Sequence, residues 1–256
     1  MKLAIMQPYF FPYIGYFQAI YAVDKYILYS NLSFIKDGWM NRNRISIKDG
    51  TVSMVTVPLI HKSSNTFIYH IRVDNSRKWN TKLLKTIYLN YKGSPYFEEV
   101  YPLLESVLTG SYDYLYELNA SIISSIAHFI GIKTPVEFRN KEKYLELEDQ
   151  LLKVEEGDYT DFPYLLKTTP VKKVARVLAL SKNEQADTFV NAIGGQVLYD
   201  KGEFAQYGID LKFLQTDHFS YPQFSNEFTP DLSIIDVLMH NGSVKTLELI
   251  KKYTLV

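Results

Sequence analysis

Three stretches of the sequence carry side chains suited to chemistry. The first runs Gln7-Pro8-Tyr9-Phe10-Phe11-Pro12-Tyr13-Ile14-Gly15-Tyr16. Gln7 can donate and accept hydrogen bonds. Tyr9, Tyr13 and Tyr16 offer hydroxyls on large apolar rings, and Gly15 allows a ligand close to the backbone. Two prolines stiffen the loop, which suits a binding loop, although the same rings would also serve as packing residues. The second stretch runs Asp37-Gly38-Trp39-Met40-Asn41-Arg42-Asn43-Arg44. Arg42 and Arg44 are bidentate partners for phosphate or carboxylate, Trp39 can stack on a base or sugar ring, and Asn41 can read hydroxyls. Solvent-exposed arginines on a hairpin flank are the plain alternative. The third runs Asp217-His218-Phe219-Ser220-Tyr221-Pro222-Gln223-Phe224 and on through Pro230-Asp231 to Leu232-Ser233-Ile234-Ile235-Asp236. His218 is the natural general base near neutral pH, with Tyr221 and Gln223 beside it, but a lone histidine is more often structural. Ser233 and Asp236 fit the cap and first turn of a helix, and capping alone would explain both.

What the chain lacks excludes other chemistries. It has no cysteine, so disulfides, thiolate nucleophiles and cysteine-based metal sites are ruled out. No histidine pair has ligand spacing, so no metal site is expected, and no Walker loop, G-x-G-x-x-G or H-E-x-x-H occurs. Lys and Arg total 28 against 28 Asp and Glu, a balance unlike that of a protein built to grip phosphate backbones. No apolar stretch approaches the roughly 20 residues that span a bilayer, and the start is too short for a signal-peptide core. The expectation is a cytoplasmic protein without membrane insertion. Aromatic residues reach 15%, which suits either a wet aromatic cleft or a tyrosine-rich core.

The elements that must position these side chains follow from periodicity. Lys2 to Met6 reads as a buried strand, Gln7 to Tyr16 as a loop, Phe17 to Val23 as a helix and Lys25 to Tyr29 as a strand, which together make a βαβ unit. Asn31 to Arg44 reads as irregular. Ile45 to Ile47 and Val52 to Pro58 read as strands turning at Asp49-Gly50, and Thr66 to Val73 as another strand. Helices are expected over Trp79 to Tyr91, Tyr96 to Leu108 and Leu115 to Ile130, the last ended by Gly131 as a left-handed cap. The charged segment Glu137 to Asp161 reads as an exposed connection and a soft internal boundary. Beyond it come a helix over Lys172 to Ser181, a short element over Ala186 to Asn191, a Gly194-Gly195 turn entering a strand through Tyr199, a short helix at Phe204 to Tyr207, a strand over Leu211 to Gln215, a helix over Ser233 to His240 and a last element over Val244 to Lys251.

At these stretches the chain resembles the WbqC-like proteins. The matching pieces are Met6 to Phe17, Trp39-Met40-Asn41-Arg42-Asn43 with Pro58, Trp79 and Tyr91, Gly194-Gly195 with Tyr199, His218 to Gln223, and Leu232 to Asp236. They span nearly the full length, which implies one such domain over residues 1–256. Tyr13-Ile14-Gly15-Tyr16 also takes the place of the H-x-G-H loop of adenylyltransferases, with tyrosines for both histidines. The expected fold is therefore α/β: an N-terminal parallel-sheet core of nucleotidyltransferase-like βαβ character, a helical insertion, and a C-terminal α/β part completing the cleft. The resemblance implies a role in O-antigen and surface-polysaccharide synthesis, with acyl or aminoacyl (glycyl) transfer to the amine of a nucleotide-linked amino sugar. Its partners would be that sugar and an activated donor, with carrier protein, coenzyme A and aminoacyl-tRNA all open. No other cofactor is implied, and a homo-oligomer is left open. His218 or Asp37 would be the base. Arg42 and Arg44 would hold pyrophosphate or a donor phosphate. Gln7, Asn41 and Gln223 would read hydroxyls, with Tyr9, Tyr13, Gly15, Tyr16, Trp39 and Tyr221 completing the site. An adenylate-forming or nucleotidyl-transferring enzyme and a non-catalytic sugar-binding protein are the alternatives.

Overall fold

The computed structural model describes residues 1–138, 142–155, 157–165, 174–225 and 227–256. The opening βαβ unit consists of β1 (Lys2–Met6), α1 (Ile14–Tyr21) and β2 (Lys25–Leu28), with β1 and β2 parallel and Ala4 opposite Tyr26. Helix α1 starts at Ile14, so Ile14 to Tyr16 are helical where a loop was expected. No proline follows Pro12 until Pro58, so the turn can continue, and apolar burial of Ile14, Tyr16, Phe17 and Ile20 drives it.

Between β2 and the next strand of the main sheet lies a long insertion. It holds the hairpin β3 (Arg42–Ser46) and β4 (Val52–Thr56), the short pair β5 (Leu59–Ile60) and β6 (Arg72–Val73), and helices α2 (Trp79–Tyr91), α3 (Phe97–Leu108) and α4 (Leu115–Ile130). Arg42 to Arg44 therefore sit on a strand, not in an irregular segment. The strand expected over Thr66 to Val73 is reduced to β6, because Ile68–His70 coils into a 3-10 turn. The three helices fall close to where periodicity places them, and Gly131 does cap α4 in the left-handed conformation, at φ 91°.

The segment read as an exposed connection contributes β7 (Val136–Phe138) and α5 (Glu142–Glu155). Tyr144, Leu147, Leu151 and Val154 of α5 are buried, spaced at three and four residues beneath a charged outer face. Residues 139–141 and 156 of the expected connection, and Lys172, where the next helix is expected to start, lie outside the described residues. The rest comprises α6 (Arg176–Asn183), β8 (Thr188–Ala192), α7 (Lys201–Gln206), β9 (Asp210–Thr216), α8 (Ile234–Ile250) and β10 (Tyr253–Leu255). The turn at Gly194-Gly195 continues as a 3-10 turn over Ile193–Val197 and not as a strand; Val197 there is largely exposed. Gly242 interrupts α8 at φ 65°, which accounts for the two elements expected on either side of it.

The main sheet has the order β10-β9-β8-β1-β2-β7, parallel throughout except for β10. Strand alternation assigns Ala4, Tyr26, Leu28 and Val190 to one apolar cluster, with α1, α2, α3, α4 and α8, and Leu3, Ile27, Phe189 and Leu211 to the other, with α5 and α6. Both faces are covered, as a parallel sheet requires. The protein is α/β, with a six-stranded, mostly parallel sheet. No helix among the described residues is long and apolar enough to cross a membrane.

Candidate functional site

Chain connections run outward from β1 in both directions: β2 and β7 lie to one side, β8 and β9 to the other. Between β1 and β8 the direction of winding reverses, and ligands of open parallel sheets bind beyond the carboxyl ends of the strands at such a point. A cavity of about 490 Å³ lies there, lined by Gln7, Tyr9, Tyr29, Arg176, Asn191 and Tyr199 among others. It adjoins a groove of about 780 Å³ that shares Gln7, Leu32, Ile35 and Arg176 and adds Asn31 and Glu148. Glu148 is buried; it accepts from the Asn31 amide and lies 3.4 Å from Arg176 Nη2. Gly195 permits the turn after β8 to close on Asn191, since a Cβ there would come within 2.8 Å of its Nδ2.

Tyr9 is also a wall of a second pocket, of about 350 Å³, completed by Pro12, Tyr13, Trp39, Asn43, Arg44 and Asp231. Its floor is a clamped loop. The Asn119 amide nitrogen donates to the carbonyls of Pro8 (2.9 Å) and Met40 (2.8 Å). Asn43 donates to those of Phe10 (3.0 Å) and Phe11 (2.7 Å), and the Ser233 hydroxyl to that of Phe11 (2.8 Å). Phe11 is fully buried and held at φ 41°, a conformation costly for an aromatic residue unless its surroundings over-determine it. Trp39 is 43% exposed, with the Arg44 guanidinium 5.7 Å from its ring centroid. Burial raises the Tyr9 phenol above its ordinary pKa; burial also raises that of Tyr13, with the charge of Asp231 and then Tyr9 adding to it.

Tyr13 and Asp231 form a shared wall with a third pocket, of about 510 Å³, lined by Asp217, His218, Phe219, Tyr221 and Phe228. His218 is exposed there. Behind this pocket Asp236 is fully buried on the first turn of α8. It accepts from the hydroxyls of Tyr91 (2.8 Å) and Tyr221 (2.9 Å) and from Gln223 Nε2 (3.3 Å), and His240 Nε2 lies 3.9 Å away. Burial pushes the Asp236 carboxyl up against the opposing pull of these donors and pushes the His240 imidazole down.

The structure thus brings together Gln7 and Tyr9 at the strand-end cavity, and Tyr9, Tyr13, Trp39 and Arg44 in the second pocket. His218 and Tyr221 line the third. The remaining sequence-predicted residues have other partners. Arg42 pairs with Asp37 at 3.2 Å and donates to its carbonyl, and Asp37 itself is exposed at φ 62°. Buried Asn41 donates to Val57, and buried Tyr16 to the Gln7 carbonyl. Gln223 holds Asp236 and Thr229. Gly15 is buried beneath the Tyr13 ring with φ outside the left-handed region, so crowding and not backbone conformation restricts it. The sequence reading assigned no role to Arg176, Asn191, Asn119 or Asp231. Among the described residues no group of three or more His, Asp or Glu side chains is placed to hold a metal ion.

The fold defines an α/β protein with a cavity at the switch point of its sheet. The chain belongs to the WbqC-like protein family, whose model matches residues 7–247. It is similar to Uncharacterized protein Rv1507c of Mycobacterium tuberculosis, with 26% identity over 245 residues that cover 94% of each chain. No solved structure matches it significantly.

Proposed function

We propose that the chain binds a nucleotide-linked amino sugar and transfers an acyl or aminoacyl group to its amine, the activity that its resemblance to the WbqC-like proteins implies. The observation that carries this reading is that the switch-point cavity and an aromatic pocket with a cation lie on either side of a shared wall, Tyr9. The nucleotide suits the first compartment. Tyr199 offers aromatic surface, Gln7 and Asn191 offer carboxamides, and Arg176, held on one side by Glu148, suits a diphosphate. The sugar suits the second, where Trp39, Tyr9 and Tyr13 present ring faces and Arg44 a guanidinium.

With no cysteine in the chain, no thioester forms on the protein, and the sugar amine attacks the donor directly in a ternary complex. The third pocket, which shares Tyr13 and Asp231 with the sugar compartment, leaves the donor a separate approach. Positioning both partners accounts for most of the rate such a site supplies. Trp39 gives a direct test, because Trp79, the other tryptophan, is buried. A nucleotide-linked amino sugar should change the Trp39 emission in a saturable way, and the change should vanish in Trp39→Phe. Titration with no spectral change and no heat of binding would remove the sugar from this pocket.

A further inference from the structure

We propose that Asp231 reads the acceptor amine, accepting a hydrogen bond from its N–H and taking its proton as the acyl group arrives. The proposal rests on the amino-sugar reading above and adds a residue to it. Asp231 is a wall of both the Trp39 pocket and the His218 pocket, so its position is common to the two approaches a transfer needs. Arg44 Nη2 donates to the Asp231 carbonyl at 3.1 Å. That bond fixes the backbone of Asp231 while leaving the exposed carboxylate without a partner among the described residues. The residue adopts φ 55°, in the left-handed region. Tyr13 lines the same two pockets, so Asp231 and the Tyr13 ring share the wall between them.

Other carboxylates nearby are already engaged. Asp37 pairs with Arg42, and Asp236 is sealed under Tyr91, Tyr221 and Gln223. His218 lines only the third pocket. In the step, the nitrogen lone pair forms the C–N bond with the carbonyl carbon of a thioester or oxygen-ester donor. The bond from that carbon to sulfur or oxygen breaks with its electron pair on the leaving group. The N–H proton passes to Asp231 and from there to the leaving group or solvent.

Calorimetry with uridine- and thymidine-diphosphate amino sugars, each with a free amine and as its N-acetyl counterpart, tests the assignment without a donor. The wild-type protein should prefer the free amine by about tenfold. Asp231→Asn should abolish that preference while leaving affinity for the N-acetyl form unchanged, which also shows that the variant is folded. Equal binding of both forms by the wild-type protein, or a preference that survives in Asp231→Asn, overturns the role of Asp231 and leaves the amino-sugar reading standing. Failure of every such sugar to bind overturns that reading and this inference together. A preference for the amine with no amide formed from any donor supports Asp231 as the amine reader and removes transfer alone.

Discussion

The Tyr13 ring folds back over Gly15: a Cβ on Gly15 would lie 2.4 Å from Cε2 of that ring and 2.8 Å from its hydroxyl. The first turn of α1 and the wall of the Trp39 pocket are therefore one packed unit. Gly15→Ala can be accommodated only by swinging the outer part of Tyr13 away. The helix itself gains slightly from alanine, on the order of 1 kcal/mol. Melting should stay close to wild type while affinity for a nucleotide-linked amino sugar falls, as read by Trp39 fluorescence. Unaltered affinity would mean that Tyr13 does not touch the ligand.

Arg42 and Arg44 lie on the same strand two residues apart, yet their surroundings differ. Arg44 lines the pocket beside Trp39, whereas Arg42 is held by Asp37. Arg44→Ala should weaken nucleotide-sugar binding by about 1.5–3 kcal/mol, the range for a hydrogen bond to a charged group. Arg42→Ala should cost under about 1 kcal/mol, as befits a pair with an exposed partner. Calorimetry on the two variants in parallel decides between them, and a larger loss in Arg42→Ala would move the guanidinium contact with the sugar to the Asp37 loop.

The sequence made the core of this arrangement legible where local signals agree with tertiary packing. The apolar run ending at Gln7-Pro8 marks β1 and the loop of the site, and the stripe of Leu83, Leu84, Ile87 and Tyr91 marks α2. It misled where charge density masked a pattern: Tyr144, Leu147, Leu151 and Val154 keep helical spacing inside a segment rich in Glu and Lys. Arg42 and Arg44 look equivalent in a list of residues, because strand register and the position of Asp37 are tertiary facts. Asp231 has no signal of its own within a Thr-Pro-Asp turn; its position between two pockets arises only when α8 packs against the loop after β1.

His240 and Asp236 give the stability of the protein a pH dependence of defined sign. Burial lowers the folded-state pKa of His240 below its unfolded value of about 6.5. Its contribution is therefore complete above that pH and is lost as pH falls through the folded value, because the unfolded chain takes up a proton that the folded chain resists. Asp236 has the opposite sign: its pKa is raised, so its contribution is complete below about 4 and is lost as pH rises. Urea midpoints measured from pH 7.5 down to about 5.5 should fall in the wild-type protein and fall less steeply in His240→Gln. Parallel curves for the two proteins would assign the slope to other groups.

The central claim is that this cleft joins an acyl group to a sugar amine, and mass spectrometry of the sugar tests it most directly. The protein is incubated with a nucleotide-linked amino sugar and, in turn, an acyl carrier protein thioester, an acyl-coenzyme A and an aminoacyl-tRNA. With one donor class the sugar should gain the mass of the acyl group in place of one hydrogen, as an amide that survives mild base, and Asp231→Asn should slow its formation by roughly 10²–10⁴-fold, the range for loss of a general base. A sugar that binds with Trp39 quenching yet returns unmodified with all three donors would contradict the account and leave a sugar-binding protein in its place.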